Sequence, residues 1–293
     1  MSLVASDHST TPVDIHRLES PEEYRAVEAV QREAWGYTSD SPVPAPIQRA
    51  INDNGGLVLG AFAGSELIGF TFGFVGREEG KLFHYSHMTA VRPPWQNRHV
   101  GLALKSRQRE EVLRQGLDEV RWTYDPLQSK NAGLNVRRLG GRPDRYLPHY
   151  YGVMADAINQ DLETDRVRLV WQLNDPRVEE RLRGHLPLPT KEEDRLRSSE
   201  PLIETARGPN GVRQPMALRA PSSLSLNLEI PADLASARAR DRDEARHWRE
   251  ATREAFMRAL AAGYTVDDFA VVSLGDERRS FYFLERRPEA GAA

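Results

Sequence analysis

The residues best placed to do chemistry lie in one stretch, LFHYSHMTAVRPPWQNRHVG, residues 82–101. It reads as a buried strand, a proline-bearing turn and a short polar loop that runs directly into LALKSRQREEVLRQGL. A loop feeding a helix leaves the first amides without intrahelical acceptors. With the positive end of the helix dipole, those amides form a seat for phosphate. The spacing therefore predicts an anionic cofactor at Gln96–Gly101. The preceding strand carries two imidazoles, His84 and His87, which titrate near neutrality and can move a proton. Strict alternation would place Tyr85, His87 and Thr89 on one face and His84, Ser86 and Met88 on the other. Other phosphate and hydrolase signatures are absent: there is no Gly-Lys-Ser/Thr loop, no GxGxxG and no Gly-x-Ser-x-Gly elbow.

The elements around this stretch follow from periodicity and punctuation. The helix after the loop has Val100, Ala103, Leu104 and Val112 on one face, with Lys105, Arg109 and Glu110 opposite, and Gly116 ends it. Upstream, Val13–Leu18 is a strand. Ser20, Pro21, Glu22 and Glu23 then read as an N-cap, a first-turn proline and first-turn acids of a helix reaching Trp35. A short helix over Ile47–Asn54 precedes a hairpin, Leu57–Ala63 and Glu66–Gly76, turning at Gly64-Ser65. Downstream come a strand at Val120–Tyr124, a helix at Asn131–Leu139 stopped by Gly140-Gly141, and an aromatic-rich strand over Arg145–Met154. Later elements are a strand at Arg166–Leu173, a short helix at Pro176–Arg183, an exposed linker at His185–Pro201, a strand at Leu224–Ile230, a helix at Asp241–Ala262 and a closing hairpin, Phe269–Leu274 with Ser280–Glu285.

The chain has 293 residues, enough for two domains. A tail is expected over 1–12, one domain over 13–158 and a second α+β domain over 159–293. The net charge of −3 gives no global attraction to nucleic acid or an acidic membrane. No apolar run approaches the ~20 residues that span a bilayer, and the first residues lack the order of a signal peptide. The expectation is a soluble cytoplasmic protein with no nucleic-acid or membrane partner; the oligomeric state, a homodimer included, stays open. No cysteine is present, so a thiolate nucleophile or thiolate-bound metal cannot form. The eight histidines show no ligand spacing, so no metal is expected.

The element order over 13–154, Gln96-Asn97-Arg98-His99-Val100-Gly101 at a helix start, and WTYDPLQSKNAGLNVRRLGG at residues 122–141 resemble the GNAT acyltransferase superfamily. With SHMTAV, YYGVM and TDRVRLVWQL, the chain is similar to a predicted subfamily that carries an extra C-terminal domain. The resemblance implies an α/β (α+β) two-domain fold: a mixed central sheet flanked by helices, plus a smaller C-terminal α+β domain that shapes the acceptor side.

The resemblance also implies a function. Acyl-coenzyme A, acetyl-CoA or another, is the co-substrate, and an acetyl or related group such as succinyl passes to a primary amine by direct attack. The acceptor is expected to be a small molecule such as an amino acid; a non-catalytic acyl-CoA sensor and a protein N-acetyltransferase are the alternatives. Gln96, Asn97, Arg98, His99, Val100 and Gly101 would hold the diphosphate, with Arg92 or Lys105 as further sources of charge. Backbone groups of Thr89, Ala90 and Val91 would pair with the pantetheine arm. His99 stands where the family's central glycine usually lies. His87 is the candidate base or water-holder, a hydrogen-bonded core histidine being the alternative reading. The family's leaving-group acid falls on Val136, so Asn135, Tyr124, Tyr146, Tyr150 or Tyr151 would donate instead, Tyr124 and Tyr150 foremost, or coenzyme A would leave as thiolate; Tyr150 and Tyr151 also read as packing aromatics. Asn131 touches the cofactor or caps its helix. Asp125 binds an ammonium group or caps the turn at Pro126.

Overall fold

The computed structural model describes residues 12–36, 42–152, 163–208 and 211–286. The expected tail over 1–12, save its last residue, and the expected domain boundary after residue 158 lie outside them. Contacts divide the chain into two compact units, residues 1–120 and 121–293.

In the first unit, β1 (Val13–Arg17) leads to α1 (Pro21–Trp35) and α2 (Ala45–Asp53). Next come β2 (Leu57–Ala63), β3 (Glu66–Glu78), β4 (Lys81–Val91) and α3 (Val100–Arg114), with β5 (Glu119–Tyr124) crossing the division. Strands β1 to β4 form an antiparallel sheet in chain order. The start of α1 is set locally. Ser20 Oγ accepts from the Glu23 amide at 3.2 Å, and the Glu23 carboxylate accepts from the Ser20 amide at 3.0 Å, a reciprocal capping box.

One face of this sheet is apolar. Phe70, Phe72 and Ala90 pack with Tyr24, Val27 and Val30 of α1. The other face is covered by α3, which buries Leu104 and Val112 but also joins a buried polar cluster. Lys105 Nζ donates to Ser86 Oγ at 2.7 Å and to Gln108 Oε1 at 3.1 Å. Gln108 Nε2 reaches Ser86 Oγ, Thr71 Oγ1 and His84 Nε2 at 3.1–3.3 Å. Room for the His84 ring depends on Gly73, since a Cβ there would stand 2.2 Å from His84 Nε2.

Burial lowers Lys105 to a pKa of about 7, against ~10.4 in an unfolded chain. The sign follows from proton binding. Between these values the unfolded chain holds more protons, so stability rises with pH from about 7 towards 10 and is least below 7. The expected gain over that window is on the order of 4 kcal/mol. Denaturant titrations at several pH values check it: Lys105→Met should flatten the rise, and an unchanged slope would refute the assignment.

In the second unit the expected helix at Asn131 begins earlier, as α4 (Ser129–Ala132), and widens into a π-helical segment over Gly133–Arg138. Then follow β6 (Arg142–Leu147), β7 (Arg166–Gln172), α5 (Pro176–Leu182), α6 (Pro189–Ser198), β8 (Glu200–Pro201), β9 (Ile203–Arg207) and β10 (Arg213–Leu218). The unit ends with β11 (Ser225–Ile230), α7 (Leu234–Arg240), α8 (Arg242–Ala261), β12 (Tyr264–Leu274) and β13 (Glu277–Arg286). Strand β7 lies between β5 and β6. Strands β12, β13, β11 and β8 form a second, mixed sheet, parallel only at β8–β11.

The fold is thus α/β, with mixed sheet flanked by helices and further strands and helices in the C-terminal half, as the resemblance implied. Two local expectations are corrected, and one feature is new. The supposed linker at His185–Pro201 contains α6, because Pro189 opens a helix whose first turn carries Glu192 and whose last turn carries Arg195 and Arg197, each suited to the helix dipole. The aromatic run at 145–154 leaves the strand at Leu147 for a turn with His149 at φ +50°. The pair β9–β10 gave no clear sequence signal and forms a separate ribbon. Among the described residues, no helix is long and apolar enough to cross a membrane.

Candidate functional site

The phosphate-seat candidate is built where β4 hands over to α3. After Val91 the chain makes one short 3-10 turn, Pro93–Trp95. Asn97 and His99 then both adopt the left-handed region, each at φ 62°. His99 is the N-cap of α3, and its side chain caps nothing. A non-glycine residue held there costs about 1 kcal/mol, so the turn accommodates histidine at the family's glycine position at a small cost. Gln96, Asn97, Arg98 and His99 are exposed, Gly101 is half-buried and Val100 is buried as the first core contact of the helix.

The first downstream amide with a loop acceptor is that of Ala103, which donates to His99 O at 3.0 Å. Among the described residues, the amides of Asn97 to Gly101 have no backbone acceptor. They form the positive mouth of a fifteen-residue helix.

The neighbouring cations behave differently. The Arg98 guanidinium stacks 5.4 Å over the Trp95 ring and stays exposed at the mouth. Arg92 is committed elsewhere: Nε donates to Leu67 O at 2.8 Å and Nη1 to Glu33 at 2.8 Å. Lys105 is turned into the buried cluster. Neither is placed to add charge to a phosphate, which corrects that expectation. The Gln96 amide donates to Val91 O at 3.1 Å and ties the loop to the strand end.

Strand β4 holds the histidines, and here alternation misled. Met88 pairs with Phe72 but Ser86 pairs with Gly73, so His87 is the extra residue of a β-bulge. The bulge shifts the facing by one. The Thr89 hydroxyl therefore meets Thr71 Oγ1 at 2.8 Å, on the side of His84, Ser86 and α3, and not on the side of His87. His84 is fully buried, and its pKa falls to about 3 through burial first, then the positive charges of Lys105 and Arg17. A ring held neutral and sealed in this way positions Gln108 rather than meeting a substrate.

His87 is exposed and set among Phe72, Phe74 and Tyr85, with ring centroids 5.9–6.2 Å away. Loss of hydration against these rings lowers its pKa below the usual 6.5. The imidazole is then neutral at pH 7, with a lone pair free to accept a proton. Thr89, Ala90 and Val91 pair on one side with Thr71, Phe70 and Gly69 of β3. Ala90 is buried towards α1, while Thr89 and Val91 are half-buried.

The remaining candidates lie in the second unit. Tyr124 is buried with its hydroxyl 3.3 Å from that of Tyr282, which donates to Pro126 O at 2.9 Å. Burial raises the Tyr124 pKa. Tyr150 is exposed, packed edge-on to Tyr151 at 4.6 Å. Asn131 is exposed and sits inside α4, whose N-cap is Gln128, so the capping reading does not hold. Val136, at the family's acid position, is fully buried.

The ammonium-binding reading of Asp125 is overturned. Its carboxylate takes Arg249 in a two-pronged pair, 2.6 and 2.8 Å, and accepts from the Leu127 amide at 2.9 Å. That partner lies 124 residues downstream, beyond any local signal. His149, Glu163 and Asp165 gather ligand atoms within 4.8 Å. Arg253 already spans the two carboxylates, donating to Asp165 at 2.8 and 2.9 Å and to Glu163.

No protein-family model matches the chain, and no curated protein sequence matches it. Solved structures do resemble it. The ribosomal-protein-S18-alanine N-acetyltransferase from Escherichia coli has 15% identity and a TM-score of 0.45, over 55% of this chain and 94% of its own. An N-acetyltransferase from Thermoplasma acidophilum in complex with coenzyme A has 17% identity and a TM-score of 0.42, over 55% and 99%. A structure from Desulfovibrio desulfuricans, assigned as an acetyltransferase of the GNAT family, has 16% identity and a TM-score of 0.42, over 55% and 99%. Each likeness spans about 55% of the chain and nearly the whole of the other structure. That likeness is partial, and the chemistry rests on this chain's own residues.

Proposed function

We propose that the protein is a GNAT-type N-acyltransferase, moving an acyl group from acyl-coenzyme A to a primary amine. The observation that carries this reading is the run of amides from Asn97 to Gly101, exposed at the mouth of α3 and without backbone acceptors among the described residues. A diphosphate supplies the acceptors they lack, and Arg98 adds a cation at the same mouth. These residues would hold the coenzyme, with the thioester lying along Thr89–Val91. Acyl-coenzyme A would supply an activated thioester when bound, and coenzyme A would leave as the thiol.

The acceptor amine must lose a proton before it attacks. His87 is neutral at pH 7 and open to solvent, so it takes that proton directly or through a held water. No cysteine exists to form a thioester acyl-enzyme, which favours direct attack by the amine. Of the two tyrosine candidates for the acid, Tyr150 is exposed and Tyr124 is sealed against Tyr282, which favours Tyr150. Asn131 remains an exposed candidate for a cofactor contact. The substrate class we favour is a small amine such as an amino acid, and the acyl group acetyl or a relative such as succinyl. A cytoplasmic setting and catalysis without a metal complete the reading, with the acyltransferase domain taken as 13–158.

A second reading, a non-catalytic acyl-CoA sensor, draws on one observation: Val136, buried and unable to give a proton, occupies the usual acid position. Thiol release from acetyl-, succinyl- and longer acyl-CoA, screened against amines and peptide N-termini, separates the two. Acceptor-dependent release supports the enzyme. Tight binding with no release supports the sensor, and no binding refutes both.

For the base, His87→Ala should lower turnover by ~10²-fold or more. In the unaltered enzyme turnover should fall as pH drops through the lowered His87 pKa, below 6.5, because the protonated ring cannot accept. That acid limb should vanish in the variant, and a limb that persists would remove His87 from the mechanism.

A further inference from the structure

A cavity of about 430 Å³ lies within the second unit, bounded by the end of β11, α7, the first turns of α8 and the start of β13. Its size is that of a small-molecule site. Four of the charges on its wall pair with one another, Asp233 caps α7 through Ser236, and Arg278 also lines the cavity. Arg213 holds Glu277 at 2.8 Å, and Arg279 holds Glu229 at 2.7 Å.

Two buried groups stand apart. Glu244 is 7% exposed and Trp248 1% exposed, yet both Glu244 carboxylate oxygens and the Trp248 indole N–H have no hydrogen-bond partner among the described residues. They sit one turn apart on α8, so they project from one helix face onto the same cavity. Buried polar atoms in folded proteins are nearly always satisfied, and leaving a carboxylate dry is costly. Burial raises the Glu244 pKa while Arg240 opposes the shift. Arg240, exposed on the cavity rim, makes no ion pair with Glu244 or any other described acid.

The cavity thus offers an acceptor at its wall, a neutral donor beside it and a guanidinium at its rim. That set complements a molecule with an ammonium group and a carboxylate on neighbouring atoms. A simple cation would leave the indole and Arg240 unused, and a simple anion would be repelled by Glu244.

We infer that this cavity binds a small amino acid-like zwitterion, its ammonium on Glu244 and its carboxylate shared between the Trp248 N–H and Arg240. The inference does not rest on acyl transfer, and it is tested without any acyl-CoA. Calorimetric titration of the full chain would use leucine, phenylalanine, lysine and glutamate, each with its decarboxylated amine and its deaminated acid. The expected result is that at least one amino acid binds, its amine binds about tenfold more weakly and its acid not at all. Glu244→Gln, a neutral isostere, should weaken the amino acid at least tenfold while melting no lower than the parent. Arg240→Gln, at an exposed position that cannot compromise the core, should weaken the amino acid but leave the amine unchanged. The proposal is overturned if no member of the panel binds up to ~10 mM, if the acid binds as well as the amino acid, or if neither substitution alters affinity.

Discussion

Gly101→Asp should abolish measurable coenzyme A binding while leaving the protein folded. The position lies in the first turn of α3, among amides that have no backbone acceptor among the described residues. A carboxylate there is good for the helix itself, worth roughly 0.3–1 kcal/mol against the dipole, so lost stability cannot explain lost binding. The same carboxylate competes for the seat. A unit charge about 5 Å from a phosphate charge at an effective dielectric near 20 costs about 3 kcal/mol, which is over a hundredfold in affinity. Calorimetry with coenzyme A, alongside a melting curve, checks both halves. An unchanged dissociation constant would mean that the diphosphate, if bound at all, sits elsewhere.

The largest effect on stability should come from Arg249→Met. Arg249 is 2% exposed and meets Asp125, 6% exposed, through two short bonds. Removing one partner of a buried pair leaves the other charge dry, at a cost of about 3–5 kcal/mol. A drop of roughly 10 °C or more in melting temperature follows for a unit of this size. The pair makes a further demand that mere loss of packing does not. Arg249→Met combined with Asp125→Asn should be more stable than Arg249→Met alone, because the stranded charge is gone while the Leu127 amide keeps an acceptor. Additive losses in that cycle would show that the pair contributes by volume, not by charge.

How much of this was legible depends on the distance over which each feature is decided. The capping box at Ser20 and Glu23, the hairpin turning at Gly64 (φ 61°) and the stop of α3 at Gly116 (φ 78°) are settled by a few neighbours in the chain. They stand where the residues place them. The loop before α3 is of this kind too: polar residues between a strand and an amphipathic helix leave amides unengaged whatever the rest of the chain does. The left-handed angle of His99 was not legible, because histidine reaches that region only where the surrounding turn imposes it.

Other features needed the third dimension. The bulge at His87 comes from how β4 registers against β3, and it moves Thr89 to the opposite face from the one alternation predicts. Lys105 lies on what periodicity marks as the polar side of its helix, yet it is buried over Ser86 and next to Gln108, where the loss of water changes its ionisation. Asp125 read as an open carboxylate until Arg249 closed over it from α8.

By itself, the sequence determined where chain segments begin, turn and cap, and hence where a phosphate seat could form, because those choices are made by hydrogen bonds and backbone angles within a few residues. Tertiary structure alone decided which side chains are dry, which face each meets and which charges are already spent. Desolvation and pairing act between residues that only folding brings together.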